Sequence, residues 1–152
     1  MTDKDNILEV GPGFGALTGR LLNTGAKLTA VEFDHRLADY NREKFASFAN
    51  FNLVEADACK VNYDELFPEN IPYRSVANLP YAISSVFIAR MLECSNKPRS
   101  MFFMLQKEMG ERLAAVPGIL PEASLTAAMF GWSASTLSVF GKTFTPVLPG
   151  TL

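Results

Sequence analysis

Apolar residues fall in short runs broken by glycine, proline or charge, and their spacing alternates between a two-residue and a 3.6-residue period. Ile7 to Val10 is a short, mainly apolar run ended by Gly11-Pro12-Gly13, and Ala16 to Leu22 then carries helical spacing up to a stop at Gly25. Leu28 to Phe33 reads as a second strand. Asp34 caps the following helix, whose apolar positions Leu37, Tyr40, Phe45 and Phe48 roughly keep a helical period. Phe51 to Glu55 is strand three. Tyr63 to Phe67, a short helix or turn, leads through Pro68 and Pro72 to a fourth strand, Arg74 to Ala77, and a helical run, Ser84 to Glu93. Ser100 to Leu105 fits a buried fifth strand, followed by a polar helix, Lys107 to Ala115, that ends at Pro117-Gly118. Leu125 to Phe130 and Thr136 to Phe140 read as an antiparallel pair closing the sheet. Repeated βα units of this kind predict a doubly wound α/β sandwich.

At 152 residues the chain is long enough for one domain with a sizeable core and short for two. Its net charge of −2 argues against a protein held to nucleic acid by a large basic field, so any RNA contact needs a local patch. Cys59 and Cys94 are too few for a metal site or a disulfide framework; they read as packed thiols in a reducing, cytoplasmic setting. The polar start, Met1 to Asn6, has no signal-peptide apolar region, and the uncharged stretch Ala123 to Gly141 is broken by Gly131 and several hydroxyl residues. No membrane span, no metal and a monomer are therefore expected.

Chemistry concentrates at the ends of the predicted strands, where open α/β sheets bind ligands. The turn Glu9-Val10-Gly11-Pro12-Gly13-Phe14-Gly15 lets the backbone approach a ligand closely, and the helix after it points free N–H groups at an electron-rich group. Gly11, Gly13 and Ala16 also satisfy the looser dinucleotide pattern, so a nicotinamide oxidoreductase is an alternative at this point. Glu32 lies about twenty residues beyond the turn, where a carboxylate accepts hydrogen bonds from ribose hydroxyls in both cofactor classes. Glu9 separates them: an acid inside the first strand favours a sulfonium cofactor, with its cationic amino-acid moiety, unless it is a strand-edge surface residue. Asp57 ends strand three and is a candidate partner for an adenine amino group, or else a turn aspartate. His35, the sole histidine, reads as a solvated helix-end residue.

The string Asn78-Leu79-Pro80-Tyr81 follows strand four and matches a pocket that presents an exocyclic aromatic amine to a methyl donor. Glu9 to Thr18, Val31 to Asp34, Ala56-Asp57-Ala58, Asn78 to Ser85 and Leu105 to Leu113 occur in this order at fitting intervals. Together they resemble the ribosomal RNA adenine N6-dimethyltransferase family, the group of KsgA and the Erm enzymes. Gln106-Lys107-Glu108 and Pro117-Gly118 lean toward the KsgA branch.

The resemblance covers nearly the whole chain and implies a Rossmann-like S-adenosylmethionine-dependent methyltransferase sandwich, mostly parallel with an antiparallel closing strand. It implies that Gly11, Gly13, Glu32, Asp57 and Asn78, with Glu9, hold S-adenosylmethionine. Asn78 and the carbonyl of Leu79 would accept hydrogen bonds from the target N6 amine, Pro80 would shape the turn, and Tyr81 and Phe144 would clamp the extruded base. Core packing is the other reading of Phe144. The implied reaction is N6-dimethylation of adjacent adenines in small-subunit ribosomal RNA, the partner being that RNA or the small-subunit particle. Ala82 and Val86 stand where the family usually has asparagine and proline or threonine, which bears on loop rigidity. Residues 1–152 are expected to be a single catalytic domain without the family's N-terminal segment and C-terminal helical domain. A truncated domain that binds cofactor or RNA without turnover, as an assembly module, is therefore the alternative.

Overall fold

The computed structural model of the chain describes residues 2–104, 137–139 and 142–144. Five strands, β1 (Asn6–Val10), β2 (Lys27–Glu32), β3 (Phe51–Glu55), β4 (Tyr73–Asn78) and β5 (Ser100–Met104), form one parallel sheet in the order β3-β2-β1-β4-β5. The crossovers between them carry α1 (Ala16–Leu22), α2 (His35–Lys44), α3 (Tyr63–Leu66) and α4 (Tyr81–Glu93). β1 is central, with Val10 in register beside Val31 of β2 and Ala77 of β4. The order reverses between β1 and β4, so the loops leaving these two strands part and open a crevice at their carboxyl ends.

The two-residue period of β1 feeds two cores. Leu8 and Val10 join Tyr73, Ala77, Phe87 and Met91 on one face, while Ile7 joins Leu21, Leu22, Leu28, Phe45 and Val76 on the other. Helix α4 buries Phe87, Ile88, Met91 and Leu92, a stripe at helical spacing that seals the first face. Asp34 caps α2 as expected, its carboxylate accepting from the backbone N–H groups of Arg36 and Leu37. Cys94 is buried in the first core and Cys59 packs against it, both as free thiols.

Two expectations shift. Helix α4 starts at Tyr81 rather than Ser84, because Pro80 at its N-cap (φ −58°, ψ 143°) sets the backbone for entry and has no N–H to leave unpaired. The antiparallel pair is formed by β6 (Leu137–Val139) and β7 (Lys142–Phe144), a two-stranded sheet separate from the five parallel strands. The expected strand at 125–130 and the helix at 107–115 lie outside the described residues. Among the described residues no helix is long and apolar enough to cross a membrane.

Candidate functional site

The glycine turn leaves β1 at its carboxyl end. The Gly11 N–H donates to the Val31 carbonyl at 2.9 Å, which carries the β1–β2 ladder one residue further. Gly11, Gly13 and Gly15 all have positive φ (67°, 56° and 75°), and Gly15 N–H closes the turn on the Pro12 carbonyl at 2.9 Å. A Cβ on Gly13 would meet nothing within 4 Å, so this backbone borders open space that a ligand can enter; a Cβ on Gly11 would lie 4.0 Å from the Asn78 carbonyl oxygen. The glycine turn and the Asn78 turn therefore lie side by side at the ends of the paired strands β1 and β4.

Glu32 ends β2 and is buried. Its Oε1 accepts from the Phe33 and Asp34 N–H groups at 2.9 and 3.0 Å, and its Oε2 from Gly13 N–H at 3.2 Å. Three backbone donors fix the carboxylate beside the turn, and two oxygens with about four lone-pair sites leave capacity for a hydroxyl donor. Phe33, its neighbour, is 76 % exposed.

Glu9 is not a surface residue: it sits in the central strand, 2 % exposed, and its Oε2 has no hydrogen-bond partner. Burial pushes its carboxyl up to about 7; the charge of Glu32 adds to the rise, and the Thr18 hydroxyl on α1 opposes it. Thr18 is itself fully buried. An enclosed carboxylate oxygen without a partner next to the glycine turn suits a cationic group better than an apolar one.

Asp57 follows β3 in a turn. Its Oδ1 accepts from Cys59 N–H at 2.9 Å and its Oδ2 lies 3.5 Å from the Lys60 ammonium, so the turn-aspartate arrangement is present, at the same sheet edge as Glu32. His35 is exposed as expected, held by Asp39 at 3.2 Å and Glu55 at 3.0 Å. Arg42 already binds the same two carboxylates, at 2.7 and 3.0 Å, which reads as a surface ion-pair network.

Asn78 is the exposed last residue of β4. Leu79 is buried and its N–H donates to the Met104 carbonyl at 3.1 Å, which pins the turn to the end of β5. Pro80 caps α4 and Tyr81 is its first residue, so the string is bent between two anchored elements. The surroundings of the Tyr81 ring lie outside what the structure describes. Phe144 is the last residue of β7, paired in register with Leu137. Gly11, Gly13, Glu32, Asp57 and Asn78 thus share the carboxyl edge of the sheet, with Glu9 behind the turn.

Two residues at this site were not expected from the sequence, Thr18 and Asn41. Asn41 interrupts the apolar series Leu37, Asn41, Phe45 at four-residue spacing on α2, a signal that was available. It is fully buried and reaches the glycine turn, with Nδ2 2.6 Å from the Gly13 carbonyl oxygen.

A family model described as "Ribosomal RNA adenine dimethylase" matches residues 1–146. Among curated relatives, "Ribosomal RNA small subunit methyltransferase A" of Dehalococcoides mccartyi (strain CBDB1) is 39% identical over 142 residues, 93% of this chain and 49% of the relative. The protein of that name from Pseudomonas syringae pv. tomato is 49% identical over 115 residues, 76% of this chain and 43% of the relative. The chain thus spans about half the length of the curated relatives it matches. Among solved structures, the dimethyladenosine transferase from Plasmodium falciparum superposes with a TM-score of 0.68 at 26% identity, covering 85% of this chain and 46% of that one. The 23S rRNA methyltransferase ErmE gives 0.61 at 30% identity over 74% of this chain and 43% of that one.

Proposed function

The chain belongs to the ribosomal RNA adenine dimethylase family, and from that premise we propose that it is the S-adenosylmethionine-binding catalytic domain of an enzyme that dimethylates N6 of adjacent adenines in small-subunit ribosomal RNA. The observation that carries this reading is the convergence of the glycine turn and Glu32 with Asn78, whose carbonyl faces Gly11. When bound, the cofactor supplies an activated methyl group. Gly11 and Gly13 let it approach, Glu32 receives its ribose hydroxyls, Asp57 takes the adenine amine, and Glu9 in its ionised form attracts the α-ammonium. The unpartnered Glu9 oxygen and the open space beside Gly13 suit such a ligand.

Asn78 and the Leu79 carbonyl accept hydrogen bonds from the target amine, which draws its lone pair out of ring conjugation and aims it. Tyr81, with Phe144, stacks on the extruded base. No strong base is required, since the alkylated amine loses its proton readily; positioning carries the rate. The protein works as a cytoplasmic monomer on RNA or on the small-subunit particle.

The test is transfer of labelled methyl from S-adenosylmethionine to undermethylated small-subunit particles. Label on adenine that is lost in Asn78→Ala by at least a hundredfold is the expected result. Binding of the cofactor without transfer would favour the second reading, an assembly module. Binding of NADH in place of S-adenosylmethionine would overturn both.

A further inference from the structure

Helix α2 grips the glycine turn by two successive carbonyls. Asn41 Nδ2 donates to the Gly13 carbonyl at 2.6 Å and Lys44 Nζ to the Phe14 carbonyl at 2.7 Å. The second Asn41 amide hydrogen goes to the Leu37 carbonyl at 2.7 Å, one turn back on the same helix, so both donors are used. Its Oδ1 has no partner and is enclosed. A Cβ on Gly15 would lie 2.7 Å from that oxygen and 2.5 Å from Phe45 Cε2, so the amide and the turn fit together without room for a side chain. A buried amide with one oxygen unsatisfied is a poor choice for stability alone, in a stripe where leucine and phenylalanine flank it.

We propose that Asn41 is a positioning residue for cofactor binding. It holds the Gly13 carbonyl against α2 while the N–H on the other side of the same Cα bonds Glu32 Oε2, 3.2 Å away, so Gly13 is tied at both of its peptide units and the ribose-binding carboxylate and the glycine cradle keep one arrangement. The inference rests on the proposed function for the identity of the ligand, and on the hydrogen bonds alone for the clamp. Asn41 touches no reacting atom; its effect falls on affinity and not on the transfer step. Lys44 is exposed and bonds the same loop from water, so its contribution is smaller.

Three variants of the full chain test it, Asn41→Leu, Asn41→Asp and Lys44→Met, with calorimetric titration of S-adenosylmethionine at pH 5.5 and pH 8 and amide exchange at Gly13 and Gly15 without ligand. N41L fills the stripe but removes the donors. Its dissociation constant should rise roughly five- to tenfold relative to the parent at both pH values, the worth of about one lost hydrogen bond, with faster exchange at Gly13. Position 41 is fully buried and faces a carbonyl oxygen, both of which raise a carboxyl placed there; in N41D it can donate to the Gly13 carbonyl when protonated, and when ionised it opposes that oxygen. Affinity should therefore be lost at pH 8 and recover toward the parent at pH 5.5, a pattern that a packing defect does not produce. Taking each variant as a ratio to the parent cancels the titration of Glu9 common to all; Glu32, whose oxygens take three backbone donors, and Lys44 are the other charges at the turn. K44M should weaken binding by no more than about twofold.

Unchanged affinity and unchanged Gly13 exchange in N41L, or in N41D at pH 8 if N41L does not fold, would overturn the clamp. A parent chain that binds no S-adenosylmethionine would refute the proposed function instead, and the exchange rates at Gly13 would still decide the role of Asn41.

Discussion

The face of the sheet under α4 and the face under α1 and α2 each hold a buried cluster, and the two are built from different material. Under α4 the core is Leu8, Val10, Phe87, Ile88, Met91 and Leu92, and the oxygens enclosed there, Tyr73 OH and Ser75 Oγ, are neutral hydroxyls. Under α1 and α2 the apolar cluster is smaller and shares its space with Glu9, Thr18 and Asn41, an ionisable acid among them. The first face supplies stability. The second gives some of it up to keep donors and acceptors ready beside the glycine turn, a division expected where a site is held in advance of its ligand.

The largest separation of the two roles comes from Phe87→Ala. Phe87 is fully buried and meets Tyr63 and Phe103 edge-on at 5.9 and 5.6 Å between ring centres. Truncation should cost about 3–5 kcal/mol in urea unfolding, while the folded fraction binds S-adenosylmethionine as the parent does. A variant that loses affinity per folded molecule would show that the two faces are not independent.

Glu9→Gln acts on the other face and in the opposite direction. Burial lifts the Glu9 carboxyl from 4.5 to about 7, so between those values the folded state holds more protons than the unfolded one, and stability falls as pH rises. Below 4.5 both states are protonated and E9Q should match the parent; above about 7 the parent bears the full penalty and E9Q should be more stable, by roughly 3 kcal/mol as an upper bound. Cofactor affinity should move the other way, E9Q binding weakly at every pH and the parent losing affinity as pH falls through 7. Denaturation and titration curves from pH 4 to 9 check both signs.

These two residues also mark what could be read before the fold was known. The glycine turn, Glu32, the Asp34 cap and Asn78 were legible because each rests on local spacing: a break after a run, an acid at the end of a strand, an aspartate before a helical run, a proline turn that ends a strand. The burial of Glu9 follows from β1 being the central strand, and a strand order is a non-local fact. The link from Asn41 to Gly13 spans 28 residues and needs α2 folded back over the turn. The early start of α4 was hidden for another reason. Pro80 opens the helix through its own ring, with no capping side chain, while Ser84 and Ser85 sit within it looking like an N-terminus.

The finest probe of the contrast is at α1, where its N-cap Gly15 and the internal Gly19, four residues apart, should respond with opposite sign. Gly15 has φ 75°, and an added Cβ would fall 2.5 Å from Phe45 Cε2 and 2.7 Å from Asn41 Oδ1, so Gly15→Ala meets both backbone strain and a collision. It should destabilise by about 1–3 kcal/mol and weaken cofactor binding with it, because the collision pushes on the residue that holds the turn. Gly19 lies inside the helix, and a Cβ there would rest 3.5 Å from Phe45 Cε1, an ordinary contact. Gly19→Ala should raise stability by about 0.5–1 kcal/mol through helix propensity and leave cofactor affinity unchanged, since it touches the ring of Phe45 but neither Asn41 nor the turn. If G19A instead altered affinity, Phe45 would have to be carrying load between α1 and the turn, and the division between a stabilising core and a prepared site would fail at that side chain.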